Sequence, residues 1–561
     1  MRLLFTFIFS GNRNSYVTRN IKHLNTLSFL LAAAKCIRHF SLDMPGKRLT
    51  GEQQPLLNVL ERHIWSIGVS HDINLSKRKT QTTLYVLHRL LDHGVAKKIV
   101  LNTESPAVLA WLLHGRGSQY VSPELKDRMH SKKRSCISQA ASASSDGVSC
   151  SPGLGTRASQ DHKDQVTPCK RTKLDSVSLQ EEESEKANFT VDPQVLCQIL
   201  SPCDESSAVA CPWGQIECLE IRQCGSNILR VLIAALPTFF CLRSLSLHSF
   251  FLRVATFRDS DVLGLARALQ QLTESSRSSL TDLSIGILPY NNLVEILLDS
   301  SPNLTSLYVE IETFMWGPTY FIHHPRPAES DVSELPLEKL ALKVTEVQRD
   351  LCYVTSVLRR SPYLTSFHAV GIRLPIGSSQ SQLLSTLSES NRFLRSLNLE
   401  DMNLSDCLPN ILELLRDCKL EELWLKDCRL LERLSSKEES LQKLVAALKM
   451  VPSLQLLSLA QNRLARNVFV LAELFSGSSP SSLKHLDISS NFIHPAELLE
   501  FAERLRTHHP ADRLTLDLRR NLGDRDPDTW NTALKMLQPF CVLLVNGWNS
   551  TNTMADYISN M

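Results

Sequence analysis

A leucine pattern recurs along this 561-residue chain and constrains its fold more than any other feature of the sequence. The pattern L-x-x-L-x-L-x-x-N-x-L is complete from Leu454 to Leu464 and, with isoleucine at two places, from Leu483 to Ile493. A third copy, from Leu420 to Leu430, carries Cys428 where the others carry asparagine, and a fourth begins at Leu394. Degenerate copies begin upstream at Ile216, Leu242, Leu280, Leu304, Leu337 and Leu364, and a last copy downstream contains Leu516, Leu518 and Asn521.

The spacing within and between the copies predicts a strand, a turn and a helix in each unit. Alternate leucines of a strand point into the core, and the Asn or Cys side chain satisfies backbone groups where the strand turns. From Leu394 to Leu483 the copies lie 26, 34 and 29 residues apart, and apolar side chains between them recur at helical spacing. We therefore expect helices at Leu441–Met450, Val468–Phe475 and Ala496–Leu505. The predicted fold class is α/β, a leucine-rich repeat solenoid (horseshoe) of long strand–helix repeats.

The same spacing of apolar residues occurs near the N-terminus, beginning at Ile37, Ile64 and Ala96. Between Ala96 and the next copy, at Ile216, the chain is about 90 residues longer than one repeat requires. The surplus coincides with a Ser-rich, Lys-rich stretch that has too little apolar surface to offset the entropy lost on ordering. The predicted organisation is an unassigned segment at 1–35, N-terminal repeats at 36–117, a disordered insertion that interrupts the solenoid at 118–190 and a main repeat array at 191–561.

Charge is separated along the insertion. Ten Lys and Arg against four Asp and Glu lie between Lys126 and Lys173, whereas Asp175 to Glu185 carries five acids and no base. Clusters of Lys and Arg in an extended segment are typical of nuclear-import signals, so we expect the protein in the nucleus and cytoplasm; a solvated basic loop is the alternative. The possible nuclear-import motif consists of Lys132, Lys133, Arg134, Lys170, Arg171 and Lys173.

Composition argues against several other classes of protein. The formal net charge of +3 gives no overall attraction to nucleic acid or to a membrane surface, and no window is long and apolar enough for a membrane span. Cys-x-x-Cys never occurs among the 15 cysteines, so reduced thiols are expected rather than a zinc site. The sequence also lacks a phosphate-binding glycine loop, a nucleophile elbow and an H-E-x-x-H motif. We therefore predict no enzymatic activity, no cofactor and no metal site.

The concave face of a repeat solenoid is its natural binding surface for a protein substrate. Alternation along each predicted strand places the side chains between the core leucines on this face. Trp424 lies between charged neighbours, as binding hot spots often do, and packing against an adjacent side chain is the alternative. The predicted partner-binding residues are Tyr308, Glu310, His368, Asn398, Glu400, Glu422, Trp424, Lys426, His485, Asp487, Asp517 and Arg519.

Several stretches of the chain resemble the leucine-rich repeat-containing protein 41 family, a group of elongin BC-binding leucine-rich repeat substrate receptors. They are Asp401–Cys407, Leu486–Asn491 with Leu498–Leu505, and Asp556–Met561, and the resemblance extends over roughly 36–561. It implies the substrate-recognition subunit of an elongin BC–cullin–RING E3 ubiquitin ligase. The partners so implied are elongin B, elongin C and a cullin–RING module.

The resemblance further implies an N-terminal helix that binds elongin C with the pattern [S/T/P]-L-x-x-x-[C/S/A]-x-x-x-[aliphatic or Ala]. The nearest match is Leu24, Ser28 and Ala32, although His23 precedes the leucine. An extracellular receptor or adhesion ectodomain is the alternative function. It would agree with the signal-peptide-like start of the chain and with the glycosylation sequon at Asn303, whereas the long helical repeats favour the cell interior.

Overall fold

The computed structural model describes residues 5–9, 15–18, 37–42, 65–70, 96–103 and 109, and then, with short gaps, residues 216–312 and 333–545. Strands occur along all of these ranges. They are β1 (Phe5–Phe9), β2 (Ser15–Thr18), β3 (Ile37–Leu42), β4 (Ser66–Ser70), β5 (Lys98–Asn102), β6 (Cys218–Ile221), β7 (Ser244–Leu247), β8 (Asp282–Leu288), β9 (Ser306–Ile311), β10 (Lys339–Val344), β11 (Ser366–Val370), β12 (Ser396–Glu400), β13 (Glu422–Lys426), β14 (Leu456–Ser458), β15 (His485–Asp487), β16 (Leu514–Asp517) and β17 (Cys541–Leu544).

Helices connect most of the strands from β6 onward. They are α1 (Ser226–Ala235), α2 (Asp259–Glu274), α3 (Leu293–Asp299), α4 (Cys352–Arg360), α5 (Ser381–Ser390), α6 (Leu408–Asp417), α7 (Lys437–Lys449), α8 (Pro495–Thr507) and α9 (Pro527–Leu537). Between β14 and β15 the connection is a 3-10 helix, Ala465–Phe475.

All of these strands join one 17-stranded sheet. From β3 to β17 each strand pairs in parallel with the next one along the chain, as stacked strand–helix repeats require. Strands coincide with the repeat copies predicted from Ile216 to Leu516 and with the patterns beginning at Ile37, Ile64 and Ala96. The predicted leucine-rich repeat solenoid is confirmed.

The two ends of the sheet contain strands that the repeat pattern does not predict. β1 pairs antiparallel with both β2 and β3, so the segment 1–35 contributes a strand pair beside the first repeat. At the other end β17 pairs in parallel with β16, without a leucine pattern of its own. β5 pairs directly with β6 although residues 103–217 separate them, and the predicted insertion at 118–190 lies outside the described residues.

Strand and helix side chains share one continuous hydrophobic core. In β9, Leu307 and Val309 are buried while the residues between them are only half-buried, as the period of two predicts. In α7, Leu441, Leu444 and Leu448 are buried at three- and four-residue spacing. Because each buried leucine side chain contributes about 1.5–3 kcal/mol, the stacking of coils accounts for most of the stability of the array.

The helix predicted at Val468–Phe475 differs from expectation. Ala465–Phe475 is a 3-10 helix rather than an α-helix. Val468 and Val470, both buried, are β-branched and lower the α-helical propensity of this short segment. The other two predicted helices are α-helices, at Lys437–Lys449 and Pro495–Thr507, so the repeat does not require one type of helix.

A buried asparagine holds the turn that follows β15. The Asn491 carboxamide oxygen accepts the backbone N–H groups of Asn462 at 2.9 Å and Leu464 at 3.2 Å. Its amide nitrogen donates to the carbonyl oxygens of Leu459 at 2.9 Å and Ser489 at 3.2 Å. One side chain therefore uses its full hydrogen-bonding capacity on backbone groups of its own coil and of the preceding one.

The same contact repeats along the last coils as an asparagine–cysteine ladder, formed by Cys428, Asn462, Asn491 and Asn521. Asn521 accepts the Asn491 N–H at 2.9 Å, and Asn462 accepts the Cys428 N–H at 3.1 Å. The Cys428 thiol donates to the Leu399 carbonyl oxygen at 3.2 Å. The turn role predicted for Asn and Cys is confirmed in these coils. Cys224 is buried at the equivalent place after β6, which the sequence analysis did not recognise.

Backbone reversals accompany the ladder. Residues on either side of a ladder position, such as Ser490 and Phe492 around Asn491, adopt left-handed φ values of +55° and +57°. At the turn after β11 this place is Gly371, with φ +71°. A Cβ atom there would lie 2.1 Å from the Val344 carbonyl oxygen, so only glycine fits.

Replacing Asn491 by alanine is expected to destabilise the array by about 3 kcal/mol, because two buried N–H groups and two carbonyl groups lose their partner. The free energy of unfolding in urea measures the loss. Asn467→Ala is the control, since the half-buried Asn467 side chain makes one longer bond, 3.3 Å to the Leu464 carbonyl oxygen. Equal losses in the two variants would contradict a special role for the ladder.

Candidate protein-binding face

The strand face is the side of the sheet opposite the helices, and the outward side chains of β5–β16 form it. Its residues alternate with the core positions, as Tyr308 and Glu310 alternate with Leu307 and Val309 in β9. Parallel pairing in register keeps equivalent residues side by side on neighbouring strands, about 4.8 Å apart. The central row from β6 to β16 is Glu220, Ser246, Ser284, Tyr308, Ala341, His368, Asn398, Trp424, Ser458, Asp487 and Asp517.

The structure places the predicted partner-binding residues together on this face. Glu400 and Lys426 lie in the row on one side of the central row, and Glu310 lies in the same row. Glu422 and His485 lie on the opposite side, and Arg519 follows the end of β16. The positions are therefore as expected, but their environments differ from one another.

A hydrogen-bonded network occupies the face from β7 to β10. Tyr308 donates its hydroxyl proton to Glu310 at 2.5 Å, and the Lys343 ammonium donates to the other Glu310 oxygen at 3.3 Å. His248 and Ser284 are hydrogen-bonded between Nε2 and Oγ at 2.8 Å, and the His248 ring lies 5.8 Å from the Tyr308 ring. Two of the predicted residues are thus tied to three that the sequence analysis did not select.

Burial sets the protonation of this network. It raises the pKa of the Tyr308 hydroxyl, with the hydrogen bond to Glu310 adding to the effect, and it lowers the pKa of His248. Both groups are therefore neutral at pH 7. A Cβ atom on Gly286 would lie 2.9 Å from the His248 Nδ1 atom, so this glycine leaves room for the imidazole. The sequence analysis did not select His248, Ser284 and Lys343 because the pairing between strands brings them to Tyr308 and Glu310, and a single repeat does not show that pairing.

The middle of the face surrounds the half-buried Trp424. Glu400 and Lys426 form an ion pair on one side of it. On the other side, Glu422 is exposed and accepts a hydrogen bond from Ser396 Oγ at 3.0 Å. Trp424 therefore lies half-buried between charged groups, and its role as a binding hot spot stays a prediction.

His368 and Asn398 are paired in register on β11 and β12. Nε2 of His368 and Oδ1 of Asn398 are buried and make no hydrogen bond with any residue that the structure describes. Burial lowers the pKa of His368, against the opposite effect of Glu400, so the imidazole is neutral at pH 7. An unpaired buried polar atom costs about 1–3 kcal/mol, so these two atoms lower the stability of this part of the sheet.

The β15–β16 end of the face is closed by internal bonds. Asp487 is 8 % exposed and accepts the Ser458 hydroxyl at 2.7 Å, and Asp517 is 2 % exposed. The Arg519 guanidinium donates from Nε to both Asp517 oxygens, at 2.9 and 3.0 Å. These three predicted residues therefore organise the face, while His485 is half-buried at its margin.

The remaining predicted sites lie outside the described residues. These are the elongin-box candidate Leu24, Ser28 and Ala32, and the possible import motif of Lys132, Lys133, Arg134, Lys170, Arg171 and Lys173.

The described parts of the chain contain neither a candidate metal site nor a candidate membrane span. No group of His, Cys, Asp and Glu side chains there could hold a metal ion. Among the described helices, none combines the length and apolar character that crossing a bilayer requires.

Comparison with known proteins supports the resemblance noted in the sequence. The chain is 35 % identical over 234 residues to leucine-rich repeat-containing protein 41 of rat, mouse and human. The match covers 42 % of this chain, less than the 36–561 stretch that the motifs suggested, and 29 % of each relative. The chain thus matches less than a third of the length of these relatives. No protein-family model matches the chain.

Among solved structures, the leucine-rich repeat-containing protein LegL7 from Legionella pneumophila is similar at 16 % identity and a TM-score of 0.31. The similarity covers 57 % of this chain and 90 % of that protein. Because the TM-score is low, the fold assignment rests on the strand register and the ladder.

Replacing Arg519 by glutamine is expected to destabilise the protein by about 2 kcal/mol, because the buried Asp517 carboxylate loses its guanidinium partner. The midpoint of urea unfolding measures the change. Arg520→Gln removes the same charge from an exposed neighbour and should cost less than about 0.5 kcal/mol. If both variants lost the same stability, the Asp517–Arg519 contact would not be what holds this end of the face.

Proposed function

We propose that this chain is a non-catalytic scaffold that captures a protein partner on its strand face. The observation that carries the proposal is the row of polar and aromatic side chains, with Trp424 at its centre, that register places across consecutive strands. Repeat solenoids present such faces as extended binding surfaces. Similarity to leucine-rich repeat proteins supports the same reading.

A photo-reactive residue at position 422 tests the scaffold role in cells that express the full chain. Glu422 is exposed on the strand face, so we expect it to crosslink partner proteins. The same residue at position 443 is the control, because the Lys443 side chain is 59 % exposed on α7, away from the strand face. Crosslinks that form equally at both positions, or only at position 443, would contradict the proposal.

The finer form of the proposal is substrate recognition for an elongin BC–cullin–RING ubiquitin ligase. The similarity to leucine-rich repeat-containing protein 41 supports it, together with the elongin-box candidate at Leu24, Ser28 and Ala32. The basic clusters of the insertion support a location in the nucleus and cytoplasm.

Co-elution of the full chain with purified elongin B–elongin C complex tests the ligase assignment. We expect a stable complex that Leu24→Asp disrupts, because a carboxylate cannot enter an apolar pocket without a large desolvation cost. Asn25→Asp, at a variable position of the same pattern, should leave the complex intact. Absence of co-elution with the unaltered chain would remove the ligase role and leave the scaffold role standing.

A further inference from the structure

Charged side chains of the strand face are largely matched within the chain. These ion pairs connect neighbouring strands or residues two apart in the sequence. Each pair therefore neutralises its own charges, and little net charge is left to attract a partner. The pairs are Lys98–Glu220, Arg222–Glu220, Lys343–Glu310, Lys426–Glu400 and Arg519–Asp517.

Between these pairs lies a surface without formal charge, which we call the neutral strip. It runs across β11–β14 and is half-buried throughout. The exposed charges at its margin, Lys339 and Glu422, have opposite signs. The neutral strip consists of Ser366, His368, Val370, Ser396, Asn398, Trp424 and Leu456.

The strip offers two kinds of contact. Trp424, Val370 and Leu456 provide apolar surface, and the half-buried His368 and Asn398 side chains provide polar surface without charge. A charged group placed on the strip itself would meet no opposite charge there and would lose its hydration without compensation.

We propose that the neutral strip binds an extended, uncharged polypeptide segment. The segment packs an apolar side chain on Trp424 and places uncharged polar groups against the half-buried His368 and Asn398 side chains. This inference rests on the proposed scaffold function and specifies the chemistry of its partner. Since no charge is neutralised on binding, the affinity depends little on salt.

An array of synthetic peptides of equal length, in net-negative, neutral and net-positive sets, tests the inference with the full chain. We expect binders from the neutral set, with affinities that change less than about twofold between about 50 and 500 mM sodium chloride. The neutral-strip proposal would be overturned if the chain selected charged peptides and if high salt abolished their binding. An array with no binders would overturn it as well.

Two variants locate the binding. Trp424→Ala should weaken the neutral peptides at least about tenfold, whereas Trp65→Ala, at a tryptophan that is 39 % exposed outside the strip, should not. Asn398→Asp places a charge in the strip with little change of shape and should also weaken them about tenfold. Asn410→Asp on α6 makes the same change outside the strip and should have no effect. Circular dichroism verifies that each variant is folded.

The outcomes separate this inference from the scaffold function. If charged peptides bound and their binding depended on Trp424, the strand-face scaffold would stand, but the inference of an uncharged partner would be wrong. Neutral peptides that bind regardless of Trp424 and Asn398 would exclude the strip as their site. Crosslinks from position 422 report on the scaffold itself, whatever the peptides show.

Discussion

The turns that follow β13, β14, β15 and β16 depend on a side chain that can bond to the backbone. At that point the chain leaves the parallel sheet, and its N–H and carbonyl groups would otherwise be buried without partners. Asn491 satisfies four such groups: the Ser489 carbonyl of its own coil, and the Leu459 carbonyl and the Asn462 and Leu464 N–H groups of the preceding coil. In these last coils the ladder closes the turn and also bonds each coil to the one before it. The register of the strand face at β13–β16 is kept by the same bonds.

The repeat strands could be predicted from the sequence because one physical rule determines them. Leucines must face a common core at alternate positions, so Leu457 and Leu486 specify where β14 and β15 lie and which neighbours face outward. The ends of the sheet could not be predicted in this way. β1, β2 and β17 pair with the array without carrying its pattern, and their pairing depends on partners distant in sequence or at the edge.

The candidate face shows the same division between position and environment. Alternation predicted that Asp517 faces outward, but its burial under the Arg519 guanidinium depends on a local bond that the pattern does not encode. The network of His248, Ser284 and Tyr308 likewise joins three strands and is invisible in any one repeat. The sequence therefore predicted which residues face outward. The structure shows in addition that Asp517 is bonded to Arg519, that His248 and Tyr308 belong to a network, and that Trp424 keeps part of its surface accessible.

The direct pairing of β5 with β6 has a consequence for how this protein can vary. The two strands are hydrogen-bonded neighbours. The sheet therefore fixes both ends of the connecting segment, residues 103–217, whatever the length of that segment. The loop-closure entropy of such a segment rises only by about 0.6 kcal/mol for each doubling of its length. The connection between β5 and β6 can thus vary widely in length, or contain an inserted domain, while β5 and β6 stay paired.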